Sequence, residues 1–239
     1  IDKIKYDEKK ELGYVEGEKE PFTGIAKDYY EDKTLKAEVP YVNGLIEGFG
    51  KQYYPGGKLK SEANFVKGLF QGRATGYYEN GNLEYEENYK DDELDGSTKN
   101  YYENGQLKTE LNYKNGKLDG LARAYHENGQ LHIEENYKDG ELDGLIKEYY
   151  ENGQLIAEGN YSNGKLEGIS KMYYESGQVK AEYYYRDGSL EKTISSPKDN
   201  ADVKVTDDKE FFDVEYEDGQ LNLKLDLNNS SNTEEAEIK

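Results

Sequence analysis

Glycine recurs in this chain at a fixed interval of 24 residues, and this interval constrains the fold more than any other feature. One glycine series comprises Gly24, Gly48, Gly72, Gly96, Gly120, Gly144 and Gly168. A second comprises Gly57, Gly81, Gly105, Gly129, Gly153 and Gly177, and a third comprises Gly44, Gly68, Gly116, Gly140, Gly164 and Gly188, with Asp92 as its one substitution. Three series in one phase indicate seven tandem units, each packed against its neighbours.

Tyrosine supplies the apolar surface that the aliphatic residues do not. Leu, Ile, Val and Phe make up less than about one-fifth of the chain and the formal net charge is −20, a combination typical of disordered chains. The chain also contains 25 tyrosines, nearly all at fixed repeat positions. Because a repeated aromatic residue can stack into a ladder, we expect an ordered solenoid and not a single globular core.

The balance of 51 acidic against 31 basic residues argues against two classes of partner. The summed field would repel nucleic acid and an anionic membrane surface, so we expect neither nucleic-acid binding nor direct membrane binding. No apolar run is long enough to cross a bilayer. Cysteine is absent, which excludes disulfides and thiolate sites.

The unit 144–167 reads GLIKEYYENGQLIAEGNYSNGKLE, with an Asn-Gly pair between two β-prone runs. This pair predicts a two-residue type I′ turn, because both central residues of that turn need positive φ. The first unit has Asp32-Lys33 there, which predicts a looser turn. Counting outward from Asn152-Gly153 gives three facing pairs: Tyr150 with Leu155, Glu148 with Ala157, and Lys147 with Glu158. The fold class is therefore all-β, an elongated solenoid of stacked antiparallel β-hairpins with terminal caps, on the order of 65–70 Å long.

Side-chain alternation along each strand gives every hairpin two faces. The packed face of unit 144–167 is predicted to carry Tyr150, Leu155, Ala157, Gly159 and Tyr161, with Leu166 beneath them. The other face carries a tyrosine column of Tyr29, Tyr53, Tyr77, Tyr101, Tyr125, Tyr149 and Tyr173. Beside it runs a glutamate column of Glu38, Glu62, Glu86, Glu110, Glu134, Glu158 and Glu182, facing Lys27, Lys51, Thr75, Lys99, Arg123, Lys147 and Lys171.

The tyrosine column, together with Glu86, Glu110, Glu134 and Glu158, is the candidate binding surface. Tyrosine offers a large contact area with few rotamers to freeze, and it is enriched at interfaces. The alternative is that the tyrosines only stack on one another and stabilise the ribbon. The two interpretations are compatible, and the sequence leaves both open.

No other constellation predicts chemistry. The connections around Asp91 and Asp139 resemble a calcium loop only faintly, because the bidentate glutamate and the flanking helices are missing, so we interpret them as turns. His126 and His132 lie near one turn without a third ligand, which is a poor metal site. No nucleophile–base–orienter set can be assembled, so we expect neither an enzyme nor a cofactor.

The ends of the chain are predicted to close the solenoid. Residues 1–23 form an N-terminal cap with a degenerate half repeat, and residues 24–191 form the seven repeats. Residues 192–227 comprise a linker and a capping hairpin around Asp218-Gly219, in which Asp213 faces Lys224. Residues 228–239 are a polar acidic tail, which we expect to be disordered.

The motif YYENGQLK-x-E-x-NYKNGKLDG and the entry Pro21-Phe22-Thr23-Gly24 resemble those of bacterial MORN-repeat proteins of the MORN variant class. Proteins labelled as antitoxins of the YwqK type belong to that class. The resemblance covers roughly residues 12–191. It implies stacked antiparallel hairpins and an interaction role, and it implies no catalytic residue and no defined ligand.

We therefore expect a non-catalytic repeat scaffold that binds another protein through an extended acidic, tyrosine-lined β surface. Charge complementarity implies a partner with a basic or extended surface. The chain starts at Ile1 and not at Met, as if a signal peptide had been removed or the N-terminus trimmed, and the sequence leaves both open. A secreted or surface-exposed protein is expected in preference to a cytoplasmic one. The alternatives are a cytoplasmic antitoxin-like protein and a carbohydrate or cell-wall binding module. The sequence does not predict the oligomeric state.

Overall fold

The computed structural model describes residues 4–7, 12–195, 213–217 and 220–224, which form an all-β fold without helices. None of these ranges contains a helix long and apolar enough to cross a membrane. The strands, numbered in chain order, are β1 (Ile4–Asp7), β2 (Leu12–Val15), β3 (Gly24–Tyr29), β4 (Leu35–Val42), β5 (Leu45–Ile46), β6 (Gly48–Tyr53), β7 (Leu59–Val66), β8 (Leu69–Tyr77), β9 (Leu83–Lys90), β10 (Glu93–Leu94), β11 (Gly96–Tyr101), β12 (Leu107–Lys114), β13 (Lys117–Leu118), β14 (Gly120–Tyr125), β15 (Leu131–Lys138), β16 (Glu141–Leu142), β17 (Gly144–Tyr149), β18 (Leu155–Ser162), β19 (Lys165–Leu166), β20 (Gly168–Tyr173), β21 (Val179–Arg186), β22 (Ser189–Ser195), β23 (Asp213–Glu217) and β24 (Gln220–Lys224).

Seven units of about 24 residues form one long, open antiparallel sheet, which confirms the predicted fold class. We number the units 1–7, each starting at a glycine of the first series. In unit 6, β17 pairs with β18, and the short strand β19 then folds back onto the end of β18. β18 also pairs with β20, which starts the next unit. This double pairing joins each hairpin to its neighbour along the ribbon.

The turn between β17 and β18 differs from the predicted one. The Tyr150 N–H donates to the Gln154 carbonyl and the Gly153 N–H donates to the Tyr150 carbonyl, both at 2.8 Å. Gly153 has a φ of 82°, whereas Asn152 has no positive φ. The loop is therefore a three-residue type I turn closed by a left-handed glycine, and the prediction of a two-residue type I′ turn is wrong.

The pairing near this turn shifts as a result. Lys147 pairs with Glu158 and Glu148 with Ala157, as the sequence predicts. The register then slips by one residue, so that Leu155 pairs with Tyr149 and not with Tyr150. Ile156 is the extra residue of this β-bulge. The same shift recurs at the corresponding place in the other repeat hairpins.

Unit 1 forms the same loop although it lacks glycine there. The Lys33 N–H donates to the Tyr30 carbonyl and the Tyr30 N–H donates to the Thr34 carbonyl, both at 2.9 Å. Lys33 adopts a φ of 69° in the place of the left-handed glycine. The expected looser turn is therefore wrong, and the loop is retained with a residue that is strained at that φ.

Asparagine occupies the turn for its side chain and not for positive φ. Asn152 Oδ1 accepts the Gln154 N–H at 2.9 Å, which closes an Asx turn. In the middle of the array the amide also reaches forward, since Asn128 Nδ2 donates to the Glu151 carbonyl at 3.1 Å. The turns are thus linked to one another along one rim of the ribbon.

The core lies on the predicted packed face, where leucines of the short strands pack against the long strands. Ala157, Gly159, Tyr161 and Leu166 are buried, which confirms their predicted side. The largest fully buried apolar side chains are Leu111, Ile133 and Ile146. Within the described ranges, every buried apolar core residue lies at or after Ala74. The apolar core is therefore concentrated in units 4–7.

The N-terminal segment contacts unit 1 in the manner of a half repeat. The Gly44 N–H donates to the Phe22 carbonyl at 2.8 Å, and one unit later the Gly68 N–H donates to the Ile46 carbonyl at 2.8 Å. Phe22 thus takes the place that Ile46 takes in the next unit. The Gly13 N–H further donates to the Gly44 carbonyl at 2.7 Å. The role of residues 1–23 as a cap stays a prediction, and residues 1–3 and 8–11 lie outside the described residues.

At the C-terminal end, β22 continues to Ser195, so residues 192–195 belong to a strand and not to the predicted linker. β23 and β24 form a separate two-stranded hairpin in which Asp213 pairs with Lys224, as counted from the sequence. The capping role of this hairpin stays a prediction. The predicted linker around Pro197 and the tail 228–239 lie outside the described residues.

Candidate binding surface

The tyrosine column lies on the face of the sheet opposite the core, which we call the open face. In unit 6, Ile146 and Glu148 are buried in the core, so the alternating residues Leu145, Lys147 and Tyr149 are on the open face. Tyr29 is 38% exposed, and the other six members of the column are half-buried. The rings therefore remain partly accessible along the whole array.

Several hydroxyl groups of this column are bound to the glutamate column of the preceding unit. Tyr53 donates to Glu38 at 2.7 Å, Tyr101 to Glu86 at 2.6 Å and Tyr173 to Glu158 at 2.7 Å. Burial raises the pKa values of Tyr53 and Tyr173 to about 12, and the hydrogen bonds to Glu38 and Glu158 are the second-largest cause. These hydroxyls therefore stay protonated as donors, and part of the role of the tyrosines is to connect units.

The glutamate column is paired with the basic column across the strands. Arg123 Nε lies 2.8 Å from Glu134 Oε2, and Lys99 Nζ lies 3.2 Å from Glu110 Oε1. Lys171 likewise contacts Glu182, and in unit 3, where Thr75 takes the basic position, Arg73 contacts Glu86 instead. Each such partly exposed pair is worth about 0.2–1 kcal/mol at most. Their larger consequence is that the centre of the open face is nearly neutral, so the net negative charge of the chain must lie elsewhere.

A leucine column that the sequence analysis placed on the wrong face lies beside the tyrosines. Because Leu155 pairs directly with Tyr149, it shares the open face, and Ile156 instead packs against the core. The column comprises Leu35, Leu59, Leu83, Leu107, Leu131, Leu155 and Val179, each paired with its tyrosine. Only recognition of the bulge could have placed these residues correctly. The seven pairs form a continuous tyrosine–leucine stripe.

A second set of apolar side chains on the open face follows the repeat glycines. Ile25, Phe49, Leu145 and Ile169 are 59%, 58%, 41% and 52% exposed. Sequence reasoning missed this column, although the recurring Gly-Ile, Gly-Phe and Gly-Leu pairs could have indicated it. Arg73 and Ser97 interrupt it in units 3 and 4. The open face thus has apolar side chains on both sides of its rows of paired glutamate and basic residues.

The neighbouring tyrosines, at the position of Tyr150, connect successive units. The hydroxyls of Tyr30, Tyr54, Tyr78 and Tyr102 each donate at 2.7 Å to a backbone carbonyl 23 residues later. In unit 5, His126 Nε2 takes this place 3.0 Å from the Tyr149 carbonyl, and in unit 6 the distance from Tyr150 to the Tyr173 carbonyl is 3.4 Å. This column is structural.

Two buried carboxyl groups lie behind the open face in units 5 and 6. Glu135 and Glu148 are 0% and 1% exposed, and Tyr137 donates to Glu135 at 2.8 Å. Burial raises the pKa of Glu135 to about 7. Alternation alone puts Glu148 on the packed face, but the sequence analysis did not include it there. His132 lies 3.8 Å from Glu148, and its ring centroid is 4.2 Å from that of His126.

The described residues do not bring together three or more His, Cys, Asp or Glu side chains that could hold a metal ion. The connection around Asp91 is a tight turn between β9 and the short strand β10, in which Asp91 and Asp92 have φ values of 52° and 69°. The Asp139 connection has the same form, with Asp139 and Gly140 at 51° and 92°. Both stretches are therefore turns of the repeat.

Comparison with known proteins gives a family for the chain. The family model described as MORN repeat variant matches seven segments, namely residues 22–43, 47–67, 70–91, 94–115, 118–139, 142–163 and 166–187. No curated protein matches the chain. The family is a repeat scaffold and not a known enzyme family. With most of its length matched in seven consecutive repeats, the chain belongs to the MORN repeat variant family.

Proposed function

We propose that this protein is a non-catalytic scaffold that binds another protein along its open face. The observation that carries this proposal is the tyrosine–leucine stripe, which continues through all seven units beside a neutral ladder of charge pairs. Partly exposed tyrosines with leucine neighbours provide apolar contact area and a polar tip, a combination enriched in protein interfaces. Since some hydroxyls already bind glutamates, the partner is proposed to contact the ring faces.

The rims of the open face add a condition on the partner. The turn loops carry Glu79, Glu103, Glu127, Glu151 and Glu175, all on exposed loops of the repeat. A partner with an extended segment and basic flanking residues would place apolar side chains on the stripe and its charges near these glutamates. This charge pattern would raise the association rate more than the final affinity.

Site-specific photo-crosslinking in the cells that produce the protein tests the proposal. A photoreactive phenylalanine analogue replaces Tyr101 or Tyr149 on the open face, and in the matched control it replaces Gln106, which is exposed in a turn. We expect one protein to crosslink from both tyrosine positions and not from Gln106. The purified partner should then bind Tyr101→Ala and Tyr149→Ala at least tenfold more weakly than the unaltered chain, since interface tyrosines are frequent hot spots. Crosslinking that is equal from all three positions would contradict the proposal.

Two rival functions share the same surface. A carbohydrate or cell-wall binding module is favoured by the partly exposed tyrosine rings, on which sugars can stack. Saturable sugar binding on a glycan array, lost in Tyr101→Ala and Tyr149→Ala, would support that rival. An antitoxin-like protein would co-purify with a toxin from the cytosol. Cell fractionation with mass spectrometry of the mature N-terminus separates that cytoplasmic role from a secreted or surface-exposed one.

A further inference from the structure

Units 1 and 2 expose a second apolar surface, on the rim formed by the connecting strands. Val42 pairs with Leu45, and Val66 pairs with Leu69 at the same place one unit later. Val42, Val66 and Leu69 are 45%, 39% and 41% exposed, and Leu45 is half-buried. We call these four residues the apolar rim patch. Leu45 Cδ2 reaches to 4.0 Å from the position that a Cβ on Gly68 would take, so the two units contribute to one surface.

The later units show that the fold does not require apolar residues there. The pairs at the positions of Val66 and Leu69 are Lys90 with Glu93, Lys114 with Lys117, Lys138 with Glu141, Ser162 with Lys165, and Arg186 with Ser189. The same backbone pairing thus forms with charged or polar side chains in five further connections. Exposed valine and leucine in the first two connections therefore contribute something other than the local fold.

A group of carboxylates adjoins the patch directly. The next connection carries the exposed residues Asp91, Asp92 and Glu93 and the half-buried Asp95. Asp92 Oδ1 accepts the backbone N–H of Phe70 at 2.5 Å, so the acidic group contacts the residue next to Leu69 of the patch in the chain. Asp92 stands where the other six connections have glycine, and its φ of 69° is a left-handed value that aspartate adopts more readily than most residues with a side chain. The connections of units 2 and 3 also carry the basic residues Lys67 and Lys90, and Lys90 faces Glu93.

We propose that the apolar rim patch and these carboxylates together bind a partner protein segment whose apolar side chains are followed by basic ones. The charge pattern selects this occupant, because an acidic rim disfavours an anionic lipid surface and attracts lysine or arginine. Two strands per unit put equivalent side chains about 10 Å apart, which matches three residues of an extended peptide. The apolar residues would lie on units 1 and 2, and the basic residues would reach unit 3. This site uses residues other than the tyrosine–leucine stripe and stands independently of the function proposed for that stripe.

Fluorescence anisotropy with a designed peptide probe tests this site on the full chain. The probe carries two leucines and then two lysines, each separated by two serines, and its control carries two glutamates in place of the lysines. We expect the lysine peptide to bind at least about tenfold more tightly than the glutamate peptide, because opposite charges next to an apolar contact favour one and oppose the other. Equal binding of the two peptides, or binding of neither, would overturn the proposal.

Matched variants locate the binding. V66K combined with L69K gives unit 2 the residues of Lys114 and Lys117, which the fold accommodates in unit 4. We expect this variant to bind the lysine peptide at least about tenfold more weakly, while its circular dichroism spectrum stays unchanged. In the converse variant, Lys114→Val combined with Lys117→Leu, binding at units 1 and 2 should stay intact. Unchanged affinity in V66K/L69K would show that the patch is not the site.

Other occupants give different results. If the unaltered chain sedimented with vesicles of anionic phospholipid and V66K/L69K did not, the occupant of the patch would be a membrane and not a protein segment. Concentration-dependent dimerisation of the unaltered chain, abolished in the same variant, would replace the protein segment with a second copy. Light scattering during size-exclusion chromatography measures the second outcome. Either result overturns the proposed partner and leaves the crosslinking test of the open face unaffected.

Discussion

Units 1–2 and units 5–6 share one backbone and hold it together by different means. At equivalent positions, units 5 and 6 bury Ile133 and Ile146, whereas units 1 and 2 have Ala37 and Gly50. In exchange, the Tyr30 and Tyr54 hydroxyls bind the next unit at 2.7 Å, whereas the equivalent Tyr150 contact is 3.4 Å long. Four apolar side chains of units 1–2 instead form the apolar rim patch. The repeat therefore specifies strand pairing and leaves each unit free to use its apolar residues for stability or for binding.

The strongest test of this difference is Ile146→Ala. Because Ile146 is 0% exposed, we expect the truncation to leave a cavity and lower the free energy of unfolding by about 2–5 kcal/mol. Val66→Ala, in the apolar rim patch, should change it by less than about 0.5 kcal/mol. Urea denaturation measures both values. Hydrogen exchange should locate the loss in β15–β18, because a repeat array opens locally. Equal losses in the two variants would remove the distinction between core and rim.

Glu135→Gln probes a buried carboxyl group in unit 5, a unit that also buries the large aliphatic side chain of Ile133. Burial, together with the charge of Glu148, raises the pKa of Glu135 to about 7 against the opposing hydrogen bond from Tyr137. A raised pKa in the folded state means that the stabilising contribution of the protonated group is present below pH 4.5 and is lost as the pH rises through about 7. His132, 3.8 Å from Glu148, is the nearby basic group.

Compared with the unaltered chain, Glu135→Gln should therefore gain stability as the pH rises, by up to about 3 kcal/mol at pH 8. Thermal denaturation at pH 5 and at pH 8 measures this gain. Glu134→Gln is the control, since Glu134 is ion-paired with Arg123 on the open face and should show no such gain. A Glu135→Gln profile parallel to that of the unaltered chain would mean that the carboxyl is not desolvated in solution.

The turn glycine gives a paired comparison of unit 6 with unit 1. Gly153→Val should destabilise its hairpin by about 1–2 kcal/mol, because a residue with a Cβ resists the left-handed φ of 82° and the new Cβ would lie 2.7 Å from Gln130 Oε1. Lys33→Gly should stabilise unit 1 by up to about 1 kcal/mol, because it relieves the same strain at 69°. Hydrogen exchange at each hairpin checks the two signs. A destabilising Lys33→Gly would show that the lysine side chain makes a compensating contact.

The sequence predicted the parts of this fold that follow from period and alternation. The glycine spacing predicted seven units. A count along the strands then predicted the pairs Lys147–Glu158 and Glu148–Ala157 and the face of the tyrosine column. The turn was not predictable in the same way, because Asn-Gly also suits a three-residue loop, in which asparagine acts through its side chain. That one-residue difference moved Leu155 to the open face and hid the leucine column.

Packing differences between units could not be read from the shared pattern. Glutamate is rarely fully buried in proteins, yet Glu135 and Glu148 are 0% and 1% exposed. Phe65 lies 3.1 Å from the place where a Cβ on Gly50 would be, so a large residue on one strand fills the space left by a small one on the other. Such exchanges depend on three-dimensional contact and leave no signal at the level of the period.

The smallest expected effect reverses the order of the two regions. Tyr54→Phe removes a hydroxyl that donates to the Tyr77 carbonyl at 2.7 Å, and it should cost about 1 kcal/mol. Tyr150→Phe removes a contact of 3.4 Å, near the limit of a hydrogen bond, and should cost about 0.3 kcal/mol or less. Both rings remain, so packing is matched, and hydrogen exchange of the acceptor strands measures each change. If Tyr150→Phe cost as much as Tyr54→Phe, units 1–2 would not depend more than units 5–6 on hydrogen bonds between units.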